Sequence, residues 1–270
     1  MNAIHGKTVL ITGASSGIGK QLALDLAQYG ARVLMVARRL ERLREIEEDI
    51  QSRGGQAVSL AYDLSSESER LSLIEKLMSM STPVDILINN AGLGWYGYYA
   101  EMPWSVADSI MKVNVTAVLS LTRALLPGMR ARGQGHIINI GSIAGGFPNQ
   151  GVAVYSASKA FMDAFTTALH REMNGSGVHV SVARLGPVKT EFYESALDRK
   201  KGRKIPGELF AISVEKASKA IMHLARRPRR YIYVPGILLL SRVVEDLLGG
   251  LIDRLGPLLL RRKDTPANSH

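Results

Sequence analysis

The stretch Lys7 to Gly19, KTVLITGASSGIG, decides the fold of this 270-residue chain. Its first half is a short β-branched run that ends at a glycine, which predicts a buried strand. Its second half is a glycine-rich turn, and apolar residues with helical spacing follow it. A strand, a glycine turn and a helix in this order direct backbone N–H groups and a helix N-terminus at a phosphate. The alternative is a turn whose glycines serve only a positive φ.

The glycine spacing narrows the ligand of this turn. The glycines stand at 13, 17 and 19, so the turn is neither G-x-G-x-x-G nor a Walker A loop, and a nucleoside triphosphate site is disfavoured. The candidate phosphate-binding residues are Gly13, Ser15, Ser16, Gly17, Ile18 and Gly19.

The residues after a second predicted strand, 31–37, indicate which dinucleotide is bound. A free ribose 2′-hydroxyl calls for Asp or Glu at this place, and the chain instead has Arg38 and Arg39. Guanidinium groups suit a 2′-phosphate, so the sequence favours NADP over NAD. Arg38 is the preferred contact, because Arg39 has the alternative role of beginning the next helix.

Five further strands are predicted, at 56–62, 84–88, 135–141, 177–185 and 230–234, and they alternate with helices. This alternation predicts an α/β fold with a mostly parallel sheet covered by helices on both faces. Asp63 follows the third strand and is a candidate adenine contact or a turn cap. Asn90 follows the fourth strand and is a candidate for holding the cofactor shelf.

A loop from Leu93 to Trp104 is rich in aromatic residues and lies past the end of a strand. It is expected either to form one wall of an apolar substrate pocket or to fold back onto its own domain. Asn114 lies in the apolar helix predicted at 105–131, where a buried amide must be paired. It is either a satisfied core residue or a catalytic one.

Tyr155 and Lys159 are one helical turn apart, on one face of a helix predicted at 155–174. A neighbouring ammonium moves the pKa of a phenol from about 10 toward neutrality, so the pair is a candidate acid/base unit. The alternative is a packed tyrosine with a solvated lysine.

Charge and the C-terminal stretch raise two further expectations. The net charge is +10, and the lack of cysteine excludes disulfides and thiolate chemistry. The N-terminus lacks the apolar segment of a signal peptide, so a cytoplasmic location is expected. Basic clusters at 199–204, 226–230 and 261–263 suit an anionic surface or a solvated face. Residues 236–270 read as an amphipathic helical tail that packs against protein, including a partner subunit, or lies on a membrane surface.

Taken together, Thr12–Gly19 (TGASSGIG), Asn89–Gly92 (NNAG), Asn114, Ser142 and Tyr155-x-x-x-Lys159 resemble the short-chain dehydrogenase/reductase family over about residues 5 to 235. The resemblance implies a doubly wound Rossmann fold with seven strands in the order 3-2-1-4-5-6-7. It implies one catalytic domain at 1–235, followed by the tail at 236–270, and a homodimer formed through the helices at 105–131 and 155–174.

The resemblance also implies roles for individual residues. The catalytic residues would be Asn114, Ser142, Tyr155 and Lys159, and the cofactor contacts would include the glycine turn, Asp63, Asn90, Tyr155, Lys159, Val188 and Thr190. One departure is Leu185-Gly186-Pro187, where the family has Pro-Gly before Val-x-Thr.

The expected function is NADP(H)-dependent hydride transfer to a carbonyl, or from a secondary alcohol, of a lipophilic or bulky substrate. The alternatives are a 3-oxoacyl-thioester reductase and a non-enzymatic dinucleotide-binding scaffold. Neither a metal nor a nucleic acid is expected as a ligand.

Overall fold

The computed structural model of the protein describes residues 4–192 and 211–240, together with 247, 249, 250, 253 and 254. The strands are β1 (Thr8–Thr12), β2 (Arg32–Ala37), β3 (Gln56–Ala61), β4 (Ile86–Asn89), β5 (Gly135–Ser142), β6 (Val178–Leu185) and β7 (Tyr231–Val234). The helices are α1 (Gly17–Gln28), α2 (Leu40–Ser52), α3 (Glu67–Met78), α4 (Trp104–Met111), α5 (Ala117–Ala131), α6 (Ala153–Glu172) and α7 (Val214–Arg226).

The strands form one parallel sheet in the order β3-β2-β1-β4-β5-β6-β7, which confirms the predicted fold. The chain winds from β1 out to β3 and then returns to the other side of β1 with β4. Ligands of such sheets bind at the carboxyl ends of the strands, in the crevice where the strand order reverses. In this chain that crevice lies beyond the ends of β1 and β4.

The sheet is buried on both faces, as its continuous apolar strands require. One hydrophobic cluster joins β1 to α1, α2 and α7 and includes Ile11, Leu22 and Ile221. The other covers the opposite face with α3, α5 and α6 and includes Leu73 and Leu121. Because both faces are packed, the strand ends are held in fixed positions and can place side chains precisely.

The long helix predicted at 105–131 is interrupted. A π-helical turn, Lys112–Thr116, separates α4 from α5 and contains Asn114. Such turns widen the helix locally and are frequent at functional sites. The whole stretch Trp104–Ala131 is long and apolar enough to cross a membrane by length and composition, but half of its most apolar window is buried within the protein. Its contacts with the sheet are those of a core helix.

The C-terminal expectation is only partly within the described residues. Gly236–Leu240 form a short 3-10 helix after β7, with Ile237, Leu239 and Leu240 exposed. Most of the predicted amphipathic tail, and the basic clusters at 199–204 and 261–263, lie outside the described residues. The amphipathic tail and the division at residue 235 therefore stay predictions.

Candidate functional site

The turn between β1 and α1 leaves no room for a side chain at any of its three glycines. Gly13 has a φ of +68°, and a Cβ there would lie 2.8 Å from the Cα of Ala91. Gly17 has a φ of +52°, and a Cβ there would lie 3.0 Å from the Cγ2 of Thr190. A Cβ at Gly19 would overlap the carbonyl oxygen of Gly13. The spacing at 13, 17 and 19 is therefore required by the close approach of three chain segments, beyond the need for a positive φ.

Asn90 ties this turn to the end of β4. Its Nδ2 donates to the carbonyl oxygens of Thr12, at 2.9 Å, and Gly13, at 3.2 Å. The hydroxyl oxygen of Thr12 accepts in return from the N–H groups of Asn90 and Ala91, both at 3.0 Å. Asn90 thus shapes the turn from beneath, which is the placement expected of a residue that supports the cofactor shelf.

The two arginines after β2 take different positions. Arg38 has a side chain that is 64% exposed, with its Nη1 4.0 Å from the Oδ2 of Asp63. Arg39 crosses to the glycine turn, where its Nη2 donates to the Oγ of Ser15 at 3.1 Å and of Ser16 at 3.0 Å. Both arginines line the cavity described below, so the structure adds Arg39 as a second candidate for a 2′-phosphate. Arg39 also directly precedes α2, as the alternative role expected.

Asp63 stabilises its own turn, and a different residue caps α3. Its Oδ1 accepts from the N–H and the hydroxyl of Ser65, both at 2.8 Å. The N-cap of α3 is Ser66, which accepts from the N–H of Glu69 at 3.4 Å. Asp63 therefore stands beside Arg38 at the far end of the cavity, as a candidate adenine contact would.

Ser142, Tyr155 and Lys159 meet at the end of β5. The hydroxyl of Ser142 lowers the pKa of the Tyr155 phenol and accepts the N–H of Ala144 at 3.2 Å. The Nζ of Lys159 lies 5.7 Å from the centre of the Tyr155 ring and donates to the carbonyl oxygen of Ile140 at 2.9 Å. The predicted acid/base pair is therefore brought together with Ser142 on one side of the same cavity.

Burial dominates the ionisation of this pair. Burial raises the pKa of the Tyr155 phenol above its ordinary value, and the hydrogen bond with Ser142 acts in the opposite direction. Burial also lowers the pKa of the Lys159 ammonium to about 8, while the charge of Asp163 raises it. Sequence reasoning expected Lys159 to lower the pKa of the phenol; in the structure burial outweighs any such effect. Tyr155 thus holds its proton near neutral pH, which suits a proton donor.

Asn114 is fully buried, and its amide is paired. Its Oδ1 accepts from the N–H of Leu93 at 2.8 Å, and its Nδ2 donates to the carbonyl oxygen of Leu93 and the Oγ of Ser158, both at 3.0 Å. A Cβ on Gly92 would lie 3.6 Å from this Oδ1 and 3.7 Å from the Nζ of Lys159. Asn114 is therefore a satisfied core residue, and its catalytic role stays a prediction.

Asp163 and Arg184 form a buried ion pair that sequence reasoning missed. The Nε of Arg184 donates to the Oδ1 of Asp163 at 2.9 Å, and its Nη1 donates to the hydroxyl of Tyr233 at 2.9 Å. Asp163 is one turn after Lys159 on α6, so its carboxylate acts on the ammonium of Lys159. The position of Asp163 four residues after Lys159 was the available signal.

The turn after β6 is secured despite its departure from the family sequence. The N–H of Gly186 donates to the carbonyl oxygen of Val234 at 2.9 Å, and Val188 pairs with Ile212 in an isolated parallel bridge. The hydroxyl of Thr190 donates to the carbonyl oxygen of Val188 at 3.3 Å. Val188 and Thr190 accordingly line the cavity, with Thr190 against the glycine turn.

One cavity of about 610 Å³ runs from Asp63 and Arg38 past the glycine turn to Tyr155. The aromatic residues of the loop from Leu93 to Trp104 fall into two groups. Trp95 and Tyr96 are buried and line the cavity, whereas Tyr98, Tyr99 and Trp104 are exposed. Trp95 and Tyr96 therefore fit the expected pocket wall, and the exposed aromatic residues fit neither expectation.

Phe192 is a cavity-lining residue that sequence reasoning missed. Its ring centre lies 5.7 Å from that of Tyr155, and a Cβ on Gly94 would lie 2.5 Å from its Cζ. Among the described residues, no three His, Asp or Glu side chains are grouped as metal ligands. The arrangement provides a long groove for a dinucleotide that ends at a half-buried phenol, an ammonium and an apolar wall.

Comparison with known proteins agrees with this geometry. The family model described as short chain dehydrogenase matches residues 7–201. The ketoacyl reductase HetN of Nostoc sp. is 40% identical over 191 residues, which cover 70% of this chain and 66% of that protein. The NADP-dependent 3-hydroxy acid dehydrogenase of Schizosaccharomyces pombe is 35% identical over 196 residues, covering 71% of this chain and 75% of that one.

Among solved structures, a short-chain dehydrogenase from Sphingobium yanoikuyae in complex with NADPH superposes with a TM-score of 0.80. It is 28% identical, and the match covers 98% of this chain and 100% of that one. The family model covers well over half of the chain, and it does so across the glycine turn, Ser142, Tyr155 and Lys159. The chain therefore belongs to the short-chain dehydrogenase/reductase family of oxidoreductases.

Proposed function

We propose that this protein is an NADP(H)-dependent oxidoreductase that transfers hydride between the nicotinamide and a carbonyl or secondary alcohol of a lipophilic or bulky substrate. The observation that carries the proposal is the meeting of Ser142, Tyr155 and Lys159 in one cavity, whose lining also includes two arginines. Proton transfer and anion binding are thereby joined in one cavity.

The residues of the groove fit a dinucleotide. The turn at Gly13 and Gly17 packs against Ala91 and Thr190 and also lines the cavity, so its backbone can face a pyrophosphate at the start of α1. Arg38 and Arg39 would hold the adenosine end, with Arg39 kept in place by Ser15 and Ser16. Val188 and Thr190 would hold the nicotinamide end.

The chain's own residues explain proton transfer. When bound, NADPH supplies the hydride that reduces the carbonyl carbon. Tyr155, kept protonated by burial, donates its proton to the carbonyl oxygen as negative charge develops there. Ser142 donates a second hydrogen bond to that oxygen and stabilises the same charge. The ammonium of Lys159, charged below pH about 8, stabilises the phenolate that is left, and alcohol oxidation uses Tyr155 as the base.

NADP is proposed over NAD because the residues after β2 are cationic. Arg38 and Arg39 both line the cavity, and neither position has the carboxylate that a ribose 2′-hydroxyl requires. The names of the Schizosaccharomyces pombe relative and of the Sphingobium complex, which mention NADP and NADPH, support the same choice.

The proposal of a lipophilic or bulky substrate rests on the aromatic residues that line the cavity. Trp95, Tyr96, Phe147 and Phe192 line the cavity, and the ring centre of Phe192 lies 5.7 Å from that of Tyr155. Aromatic walls with a few polar groups favour apolar substrates. A small hydrophilic sugar would leave this wall without a complementary surface.

The test is NADPH consumption with a series of ketones of increasing apolar size, with a Tyr155→Phe variant as the blank. We expect kcat/KM to rise with apolar size and NADPH to be preferred to NADH. Activity confined to small polar sugars would contradict the substrate claim, and equal use of NADH would contradict the cofactor claim.

A second candidate is reduction of a 3-oxoacyl thioester. It is favoured by the name of the ketoacyl reductase relative, which is 40% identical over the matched stretch. A comparison of free 3-oxo esters with the same acyl groups on coenzyme A and on acyl carrier protein separates the two candidates. Activity limited to the thioesters would select the second one. Binding of NADPH without turnover of any carbonyl compound would instead indicate a dinucleotide-binding scaffold.

The proposal includes a cytoplasmic homodimer without nucleic-acid partners. Trp104, Met111 and Leu119 are exposed along α4 and α5, as a helix-to-helix interface would require. The exposed Ile237, Leu239 and Leu240 suit either protein contact or peripheral membrane contact of the tail. Sedimentation of the full chain and of a chain ending at Pro235, with and without anionic vesicles, tests both claims.

A further inference from the structure

Glu191 reaches across the groove to the arginines that follow β2. The Nη1 of Arg42 lies 2.8 Å from each carboxylate oxygen of Glu191, and the Nη1 of Arg39 lies 3.2 Å from its Oε2. Slight burial raises the pKa of the Glu191 carboxyl, but the hydrogen bonds from Arg42 and Arg39 lower it below its ordinary value. Glu191 is therefore an anion at neutral pH, held by two cations.

Arg39 is shared between this anion and the glycine turn. Its Nη1 faces Glu191, while its Nε and Nη2 donate to the Oγ of Ser15 at 3.3 and 3.1 Å. Ser15, Arg39 and Glu191 all line the cavity, so the carboxylate lies inside the groove and next to the groups that suit a phosphate. Arg42 does not line it and holds Glu191 from outside.

We propose that Glu191 is a specificity-determining residue whose carboxylate competes with the 2′-phosphate of NADP(H) for Arg39. This rests on the proposed preference for NADP. A phosphate that pairs with Arg39 must displace the carboxylate or accept its repulsion, because guanidinium groups bind both anions in the same way. NAD(H) has an uncharged 2′-hydroxyl and leaves the pair between Glu191 and Arg39 intact. Glu191 therefore lowers the affinity for NADP(H) and leaves that for NAD(H) unchanged.

Titration calorimetry of the Glu191→Gln variant tests the competition, since glutamine keeps the shape and removes the charge. The probes are NADP⁺ and adenosine 2′,5′-bisphosphate, which carry the 2′-phosphate, and NAD⁺ and adenosine 5′-monophosphate, which do not. We expect the first two to bind about fivefold more tightly to the variant, the effect of removing one exposed charge contact. The second two should stay within about twofold.

A matched control separates a local effect from the loss of one negative charge. Glu48→Gln removes an exposed carboxylate from α2. It should leave the ratio of NADP⁺ to NAD⁺ affinities unchanged, and thermal melting should show both variants folded. Equal changes for all four probes, or weaker binding of the phosphate-bearing pair, would overturn the proposal.

The same titrations distinguish this proposal from the proposed cofactor preference. If wild-type protein binds NAD⁺ at least as tightly as NADP⁺, the NADP assignment fails. The comparison of Glu191→Gln with wild type on NADP⁺ alone still decides whether the carboxylate competes. If wild type prefers NADP⁺ and the variant does not bind it more tightly, only the competition fails.

Discussion

Replacing the buried pair of Asp163 and Arg184 should shift the pH dependence of the enzyme without unfolding it. Asp163→Asn alone would leave Arg184, 5% exposed, without its anion, and breaking a buried pair costs about 3–5 kcal/mol. The double variant Asp163→Asn with Arg184→Met removes both charges at similar volume. We expect it to fold, because such replacements are often neutral or stabilising.

The size of the shift follows from the position of Asp163 one turn after Lys159. Unit charges about 6 Å apart interact by roughly 3 kcal/mol at an effective dielectric constant of about 20, equivalent to about two pH units. The charge of Arg184 cancels part of this, so we expect about one pH unit. A carboxylate favours the ammonium, so its removal lowers the pKa of Lys159 from about 8.

The assay is kcat/KM for ketone reduction as a function of pH. Reduction needs a charged Lys159, so wild-type activity should fall as the pH rises through about 8. In the double variant the same fall should occur about one pH unit lower. The matched control is Asp49→Asn with Arg53→Met, which removes an exposed ion pair of α2, and should keep the wild-type profile. A folded double variant with an unshifted alkaline limb would refute the coupling of Asp163 to Lys159.

Three further predictions concern single residues. Tyr155→Phe should lower kcat/KM by about 10³-fold or more while the dissociation constant of NADPH, from fluorescence titration, stays within about twofold. Gly13→Ala should weaken NADPH binding at least about tenfold and lower the melting temperature, because its Cβ would lie 2.8 Å from the Cα of Ala91 at a φ of +68°. Burial lowers the pKa of His136 to about 3. Between about pH 6.5 and 3 the imidazole is therefore protonated in the unfolded chain and neutral in the folded protein, so the free energy of unfolding decreases as the pH falls below about 6.5. In urea denaturation, His136→Asn should reduce the loss between about pH 6.5 and 5 by about 2 kcal/mol, whereas His→Asn at the exposed His223 should not; equal losses in both would contradict it.

The sequence predicted the seven strands because their signals are local. The glycine turn and the alternation of apolar strands with helices state where each strand ends, and the resemblance supplies the strand order. The π-helical turn at Lys112–Thr116 was not predicted, since an apolar helix with one asparagine has the same pattern with or without it. Its cause is tertiary: Asn114 must reach the backbone of Leu93.

The directions of individual side chains in the site could not be predicted from the sequence. The sequence motifs suggested Ser142, Tyr155 and Lys159, which the fold brings into one cavity, but the choice of Arg38 over Arg39 depended on which way each side chain leaves the strand end. Arg39 points to Ser15 and Ser16, and nothing in the sequence near it indicates that. The pair of Asp163 and Arg184 spans α6 and β6, so only the fold brings its members together.

The residues after β6 contact both the proposed cofactor site and the proposed substrate site. Thr190 packs against Gly17, Glu191 reaches Arg39 and Arg42, and Phe192 lies against the ring of Tyr155. Three consecutive residues therefore contact the glycine turn, the arginines after β2 and Tyr155. Because neighbouring residues of one chain cannot move independently, a change at Glu191 that alters the choice of cofactor should also displace Phe192. The KM of bulky ketones should then change in Glu191→Gln even though Glu191 is not placed to contact the reacting carbonyl, and an unchanged KM would show that Phe192 is fixed by its contact with Gly94 alone.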